Sequence, residues 1–211
     1  MDLFKTLFAT HVVCGGTSLI TGLLLLLLPK GDNKHIWMGN IYFIAMLTAS
    51  LVALPMSCLH PNFFLFIVGV FTIYLLVSGK RYLKKKKPED VKLFDWVLTG
   101  TMFVFGILFI GFGMYNLLKG NYFGIVLLVF GSIGILSAYQ DNVNFKDKSS
   151  VQNFWLTTHL QRMTGSYIAS ATAFLVVNNK ILPGIIAWLL PTIILAPFII
   201  KWTKERAIKK V

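Results

Sequence analysis

The residues best suited to chemistry are four histidines, one arginine deep in an apolar stretch, and two aspartates. His35 and His159 each stand near the start of an apolar stretch. Two imidazoles at one depth on neighbouring helices can serve as the axial ligands of a b-type haem, a cofactor used for electron transfer across membranes. An interfacial histidine also simply caps a helix or bonds a lipid head group. Arg162 lies three residues after His159, on the same helical face. An arginine about ten residues inside an apolar run costs roughly 2.5–3.5 kcal/mol on insertion scales, so it is expected to be paired or functional. Asp95 and Asp141 are its candidate partners. A structural Arg–Asp tie and a charge lining a substrate or cofactor pocket are both open. The other two histidines stand beside thiols, in His11-x-x-Cys14 and Cys58-x-His60. These are ligand types for zinc or copper. Two ordinary thiols or a disulfide are the alternatives.

Several membrane-enzyme chemistries lack their parts. The chain has no H-E-x-x-H zinc helix and no G-x-S-x-G nucleophile elbow. It has no pair of carboxylates deep in its apolar runs, no histidine-rich cluster for a di-iron oxygenase, and no lysine within the last apolar run, 181–200, for a retinal Schiff base.

The elements that must position these residues are membrane helices. Of 211 residues 56% are hydrophobic and 13% charged, and the mean hydropathy is +0.72; this is a membrane composition. Apolar runs at about 7–29, 35–56, 62–79, 93–117, 121–138, 153–178 and 181–200 are long enough to cross a hydrocarbon core as helices. The expected fold is therefore all-α, a polytopic bundle of seven transmembrane helices in one domain over 1–211, its first run a retained helix. Pro183, Pro191 and Pro197 predict a kinked seventh helix. Pro55 to Asn62, with Cys58 and His60, reads as a turn.

The net charge of +12 is distributed by side. With the N-terminus outside, the inner segments hold Lys30 and Lys34, Lys80 to Lys92, Lys146 and Lys148, and Lys201 to Lys210, while the outer side holds Lys5, Lys119 and Lys180. This positive-inside pattern predicts N-out, C-in. Trp37, Trp96, Trp155 and Trp202 fall at the inner boundary. The run Lys80–Lys87 reads as a topology signal lying against anionic lipid in the bilayer. No recognition motif accompanies the charge, so nucleic acid is not an expected partner.

The chain also repeats itself. His159 to Val176 laid over His35 to Val52 matches at seven of eighteen positions, among them His35/His159, Thr48/Thr172, Ala49/Ala173 and Val52/Val176. A parallel repeat of helices two and three in six and seven is expected, with the second and sixth packed along Ala45/Ala49 and Ala169/Ala173.

The blocks H-V-V-C-G-G (His11 to Gly16), H-I-W-M-G-N-I-Y (His35 to Tyr42) and H-L-Q-R-M-T-G-S-Y-I-A (His159 to Ala169) resemble a family of bacterial predicted membrane proteins, domain of unknown function 2306. That family opens its first helix with a histidine, its second with H-[RK]-x-x-G-x-x-Y, and carries a later His/Arg-Met block. The resemblance implies a multi-pass bacterial inner-membrane protein and no established activity. Its histidines map onto His11, His35 and His159; Ile36 replaces the family's basic residue, and His60 has no counterpart.

The leading expectation is thus a His-ligated redox or cofactor-binding protein, haem b its candidate cofactor. His35, His159, Arg162, Asp95 and Asp141 would line one cytoplasmic-side cavity. The alternatives are a small-solute or ion transporter with a polar vestibule around Arg162, and an accessory subunit of a membrane complex.

Overall fold

The computed structural model describes residues 3–182 and 184–209. Among these the chain forms seven α-helices: α1 (Leu3–Leu27), α2 (Asn33–Leu59), α3 (Phe63–Tyr82), α4 (Leu93–Leu118), α5 (Phe123–Phe145), α6 (Phe154–Asn178) and α7 (Gly184–Arg206). A 3-10 turn at Pro88–Asp90 precedes α4. All seven expected helices are present, and six are long and apolar enough to cross a membrane. The exception is α6. Its buried side chains include Thr157, Thr158, Arg162, Thr164, Ser166 and Thr172, which lower its apolarity while turning its polar groups into protein.

Several boundaries depart from the hydropathy reading, those of α2, α5 and α7 among them. α2 runs through Pro55 to Leu59, so Cys58 is helical and only His60 stands at its C-terminal cap. Pro55 removes one backbone donor, yet the helix runs through it, as membrane helices allow. α5 continues seven residues past its apolar run because Asp141 and Asn144 are buried and bonded rather than solvated. α7 contains Pro191 and Pro197 and reaches Arg206; Pro183 lies outside the described residues.

The chain divides into two compact units, Met1–Leu76 with Met163–Ile200, and Val77–Arg162 with Lys201–Val211. In the first unit, α2 buries Tyr42, Met46, Ala49, Ala53 and Met56, a 4-3-4-3 spacing that makes one helical face. The His11 Nδ1–H of α1 donates to the Ala49 carbonyl at 2.9 Å. The Ser18 hydroxyl points at Met46 Sδ, 3.7 Å away. α2 and α6 meet through the Tyr42 hydroxyl and Ser166 Oγ, 2.8 Å apart. Gly22 of α1 passes against the rings of Tyr42 and Tyr167 and leaves no room for a methyl. Of the alanines expected to face one another, Ala45, Ala49 and Ala169 are buried and Ala173 is half-buried.

In the second unit, α4 and α5 form an antiparallel hairpin with a strict seam. α4 buries Asp95, Thr99, Met102, Gly106, Phe109 and Gly113. α5 buries Leu127, Gly131, Gly134, Ala138, Asp141 and Phe145 along one face that starts at Gly124. Both series alternate steps of three and four, the spacing of a coiled-coil seam. The backbones touch at reciprocal glycines: a methyl on Gly131 would sit 2.8 Å from the Gly106 carbonyl oxygen, and one on Gly113 2.9 Å from that of Gly124. Small residues permit this approach, which a bilayer cannot drive by hydrophobicity alone. The seam delivers two carboxylates, Asp95 and Asp141, to the same end of the hairpin.

Candidate functional site

The second unit holds a buried network built on Asp141. Four helices supply it: α3 with its last residue, α4 with its second turn, α5 near its end, and α6 in its first turns. Asp141 Oδ1 accepts from the Tyr82 hydroxyl at 2.7 Å and from Arg162 Nη2 at 2.9 Å. Its Oδ2 accepts from Thr99 Oγ1 at 2.9 Å. Arg162 Nη2 also donates to the Ser137 carbonyl at 2.7 Å. Asn144 Nδ2 donates to the Tyr82 oxygen and to Thr158 Oγ1, each at 3.2 Å. Asp141 is 0% and Arg162 2% exposed, so no open vestibule surrounds Arg162.

A second ion-pair group stands beside it. Asp95 is the third residue of α4 and accepts from the Lys92 amide at 2.9 Å, closing the helix start. Arg81 grips it with two nitrogens, Nη2 reaching Oδ2 at 2.7 Å. Lys85 Nζ reaches Oδ1 at 2.9 Å. The Lys85 ammonium also lies 4.2 Å from the Tyr82 ring centre and 4.6 Å from that of Phe145, within cation–π range. Burial pushes the Lys85 ammonium below the usual lysine range, and Asp95 partly restores it. Tyr82 joins the two groups, its ring beneath Lys85 and its hydroxyl on Asp141.

Of the two acids that sequence offers to Arg162, Asp141 takes it, and Asp95 goes to Arg81 and Lys85. His159 is fixed one turn before Arg162, its Nδ1–H donating to the Gly79 carbonyl at 2.8 Å. In neutral imidazole this makes Nε2 the basic nitrogen. His35 belongs to the first unit, where its amide donates to the Asp32 cap at 2.7 Å. The thiol-bearing motifs do not assemble a metal set: among the described residues no three His, Cys, Asp or Glu side chains gather. Cys14 and Cys58 are free thiols, and the His60 ring packs on Phe4 with centres 4.0 Å apart. His11 is the ninth residue of α1, and His60 stands at the C-terminal cap of α2.

Sequence reading missed Tyr82, Arg81, Lys85, Thr99 and Asn144. The seam spacing carries the signal for Thr99, since it falls in step with Asp95. Arg81 and Lys85 were hidden in a basic run whose charge already had an explanation. The chain matches no family model, no curated protein and no solved structure.

Proposed function

We propose that the chain is a seven-span membrane transporter for a small solute or ion, with the Asp141–Arg162 network as its polar working site in a closed state. The observation that carries this reading is α6. It is the least apolar of the helices, yet its arginine and hydroxyl residues are buried in protein. Ionisable residues kept at such a cost within membrane helices mark substrate and ion paths. On this reading Arg162 attracts the anionic group or counter-charge, Asp141 exchanges its partner when that group arrives, and Thr99, Tyr82 and Asn144 supply neutral hydrogen bonds along the way.

The orientation is N-out and C-in, with α6 crossing as a seventh span. The basic segments Lys80–Lys92 and Lys201–Lys210 then lie on one side, the cytoplasmic one. The blocks that resemble domain of unknown function 2306 suit a bacterial inner membrane. With Cys14 and Cys58 replaced, a cysteine introduced at Lys86 or Lys87 is expected to resist an impermeant thiol reagent in intact cells. One at Lys119 is expected to react. Rapid modification at Lys86 would overturn the orientation.

A His-ligated cofactor is the second reading. It is favoured by the His159 Nδ1 bond to Gly79, the arrangement that commonly orients a ligating imidazole. A haem would supply one-electron chemistry, and His159 would be one of its axial ligands. The two readings separate on purified protein. The transporter reading expects no Soret band and a melting temperature raised by a small ionic solute. A Soret band lost in His159→Ala would reverse the order.

A further inference from the structure

We infer that the turn joining α3 to α4 is a docking surface for acidic phospholipid head groups, formed by Lys84, Lys86, Lys87 and Lys92. Within the basic run the lysines do different work. Lys85 turns inward to Asp95 and is 2% exposed. Lys84, Lys86, Lys87 and Lys92 are all exposed. Large apolar side chains stand exposed among them: Leu93 at 78%, Phe94 at 53% and Trp96 at 40%. Exposed lysines interleaved with exposed apolar and indole groups, where a basic turn meets apolar helices, suit the head-group layer. There the apolar groups enter the acyl boundary and the ammonium groups meet phosphate.

The turn is shaped for this. The Asp90 carboxylate accepts from the Lys86 and Lys87 amides, each at 3.0 Å, which fixes the backbone that carries both lysines. Lys86 Nζ lies 5.2 Å from the Trp155 ring centre. Glu89 and Asp90 are the only acids in the segment from Lys84 to Lys92, and Asp90 is already committed to those amides. Charge complementarity therefore selects an anionic head group over a zwitterionic one. The inference rests on the apolar helices lying in a bilayer and not on the transport reading.

The test is native mass spectrometry of the full chain in mild detergent, titrated with short-chain phosphatidylglycerol or phosphatidylcholine. Preferential binding of phosphatidylglycerol is expected. It should weaken on the order of 100-fold when Lys84, Lys86 and Lys87 are all changed to Gln, and little when Lys201 and Lys204 are changed instead. A salt titration of competitive lipid exchange on the unaltered chain stands apart from any folding defect in the variant. The preference should fall as salt rises. Equal binding of the two lipids, a preference that ignores salt, equal losses in the two variants, or displacement by inorganic phosphate would each overturn the inference.

Discussion

Changing Arg162 to Met is expected to destabilise the fold by about 3–5 kcal/mol, read from chemical unfolding in detergent. The side chain is 2% exposed and donates to both the Asp141 carboxylate and the Ser137 carbonyl. Its removal leaves a carboxylate buried at 0% exposure without its guanidinium, beside the hydroxyls of Tyr82 and Thr99. Asp141→Leu is expected to cost at least as much, because it strands a guanidinium together with those two hydroxyls. The double variant is the informative one. Removing both charges abolishes the unpaired ion that dominates each single change, so its loss should be smaller than that of Asp141→Leu alone. A double variant as unstable as the two singles added together would mean that the pair is not energetically coupled.

The second large effect lies in the α4–α5 seam. Gly131→Ala is expected to cost about 1–3 kcal/mol, since the new methyl would sit 2.8 Å from the Gly106 carbonyl oxygen. That neighbour is backbone and cannot rotate away, so the helices must part. Gly124→Ala meets the Gly113 carbonyl in the same way and should behave alike. Gly100 and Gly111 belong to the same helix as Gly106 and Gly113, but nothing lies within 4 Å of a methyl at either. Alanine there should be neutral or stabilising by up to about 1 kcal/mol, the difference in helix propensity. Unfolding of these variants side by side separates close approach from a general preference for glycine. Equal effects at Gly131 and Gly111 would sink the reading of the seam.

Particular residues explain what could be read in advance. Long apolar runs marked all seven helices, six of them apolar enough to cross a membrane. Apolar length also ended α5 too early. Hydropathy treats Asp141 and Asn144 as solvent-facing, whereas both continue a three-four face that runs back to Gly124. Phase along the helix, rather than apolarity, was the readable signal. Pro55 marked a turn by composition but lies inside a continuous helix, which membrane helices tolerate. Arg162 stood out as a buried charge, but the choice between Asp95 and Asp141 depends on what else competes for each acid. Arg81 and Lys85 take Asp95, and no spacing rule in one sequence ranks those pairs. His35 and His159 matched in register along the chain, while their surroundings differ: one amide meets an Asp32 cap and the other imidazole meets the Gly79 carbonyl.

On the proposed function, the Asp141–Arg162 network moves charge or solute rather than only tying helices together. Solid-supported membrane electrophysiology on proteoliposomes tests it most directly. The probes are concentration jumps of protons, sodium, potassium, chloride, phosphate and small amino acids. A transient current above that of empty vesicles is expected for at least one of them. It should vanish in the Asp141→Asn, Arg162→Gln double variant, which removes both charges and keeps both side chains polar, with circular dichroism confirming that the variant is folded. No current from any of these solutes, or a current that survives in the folded double variant, would contradict the account.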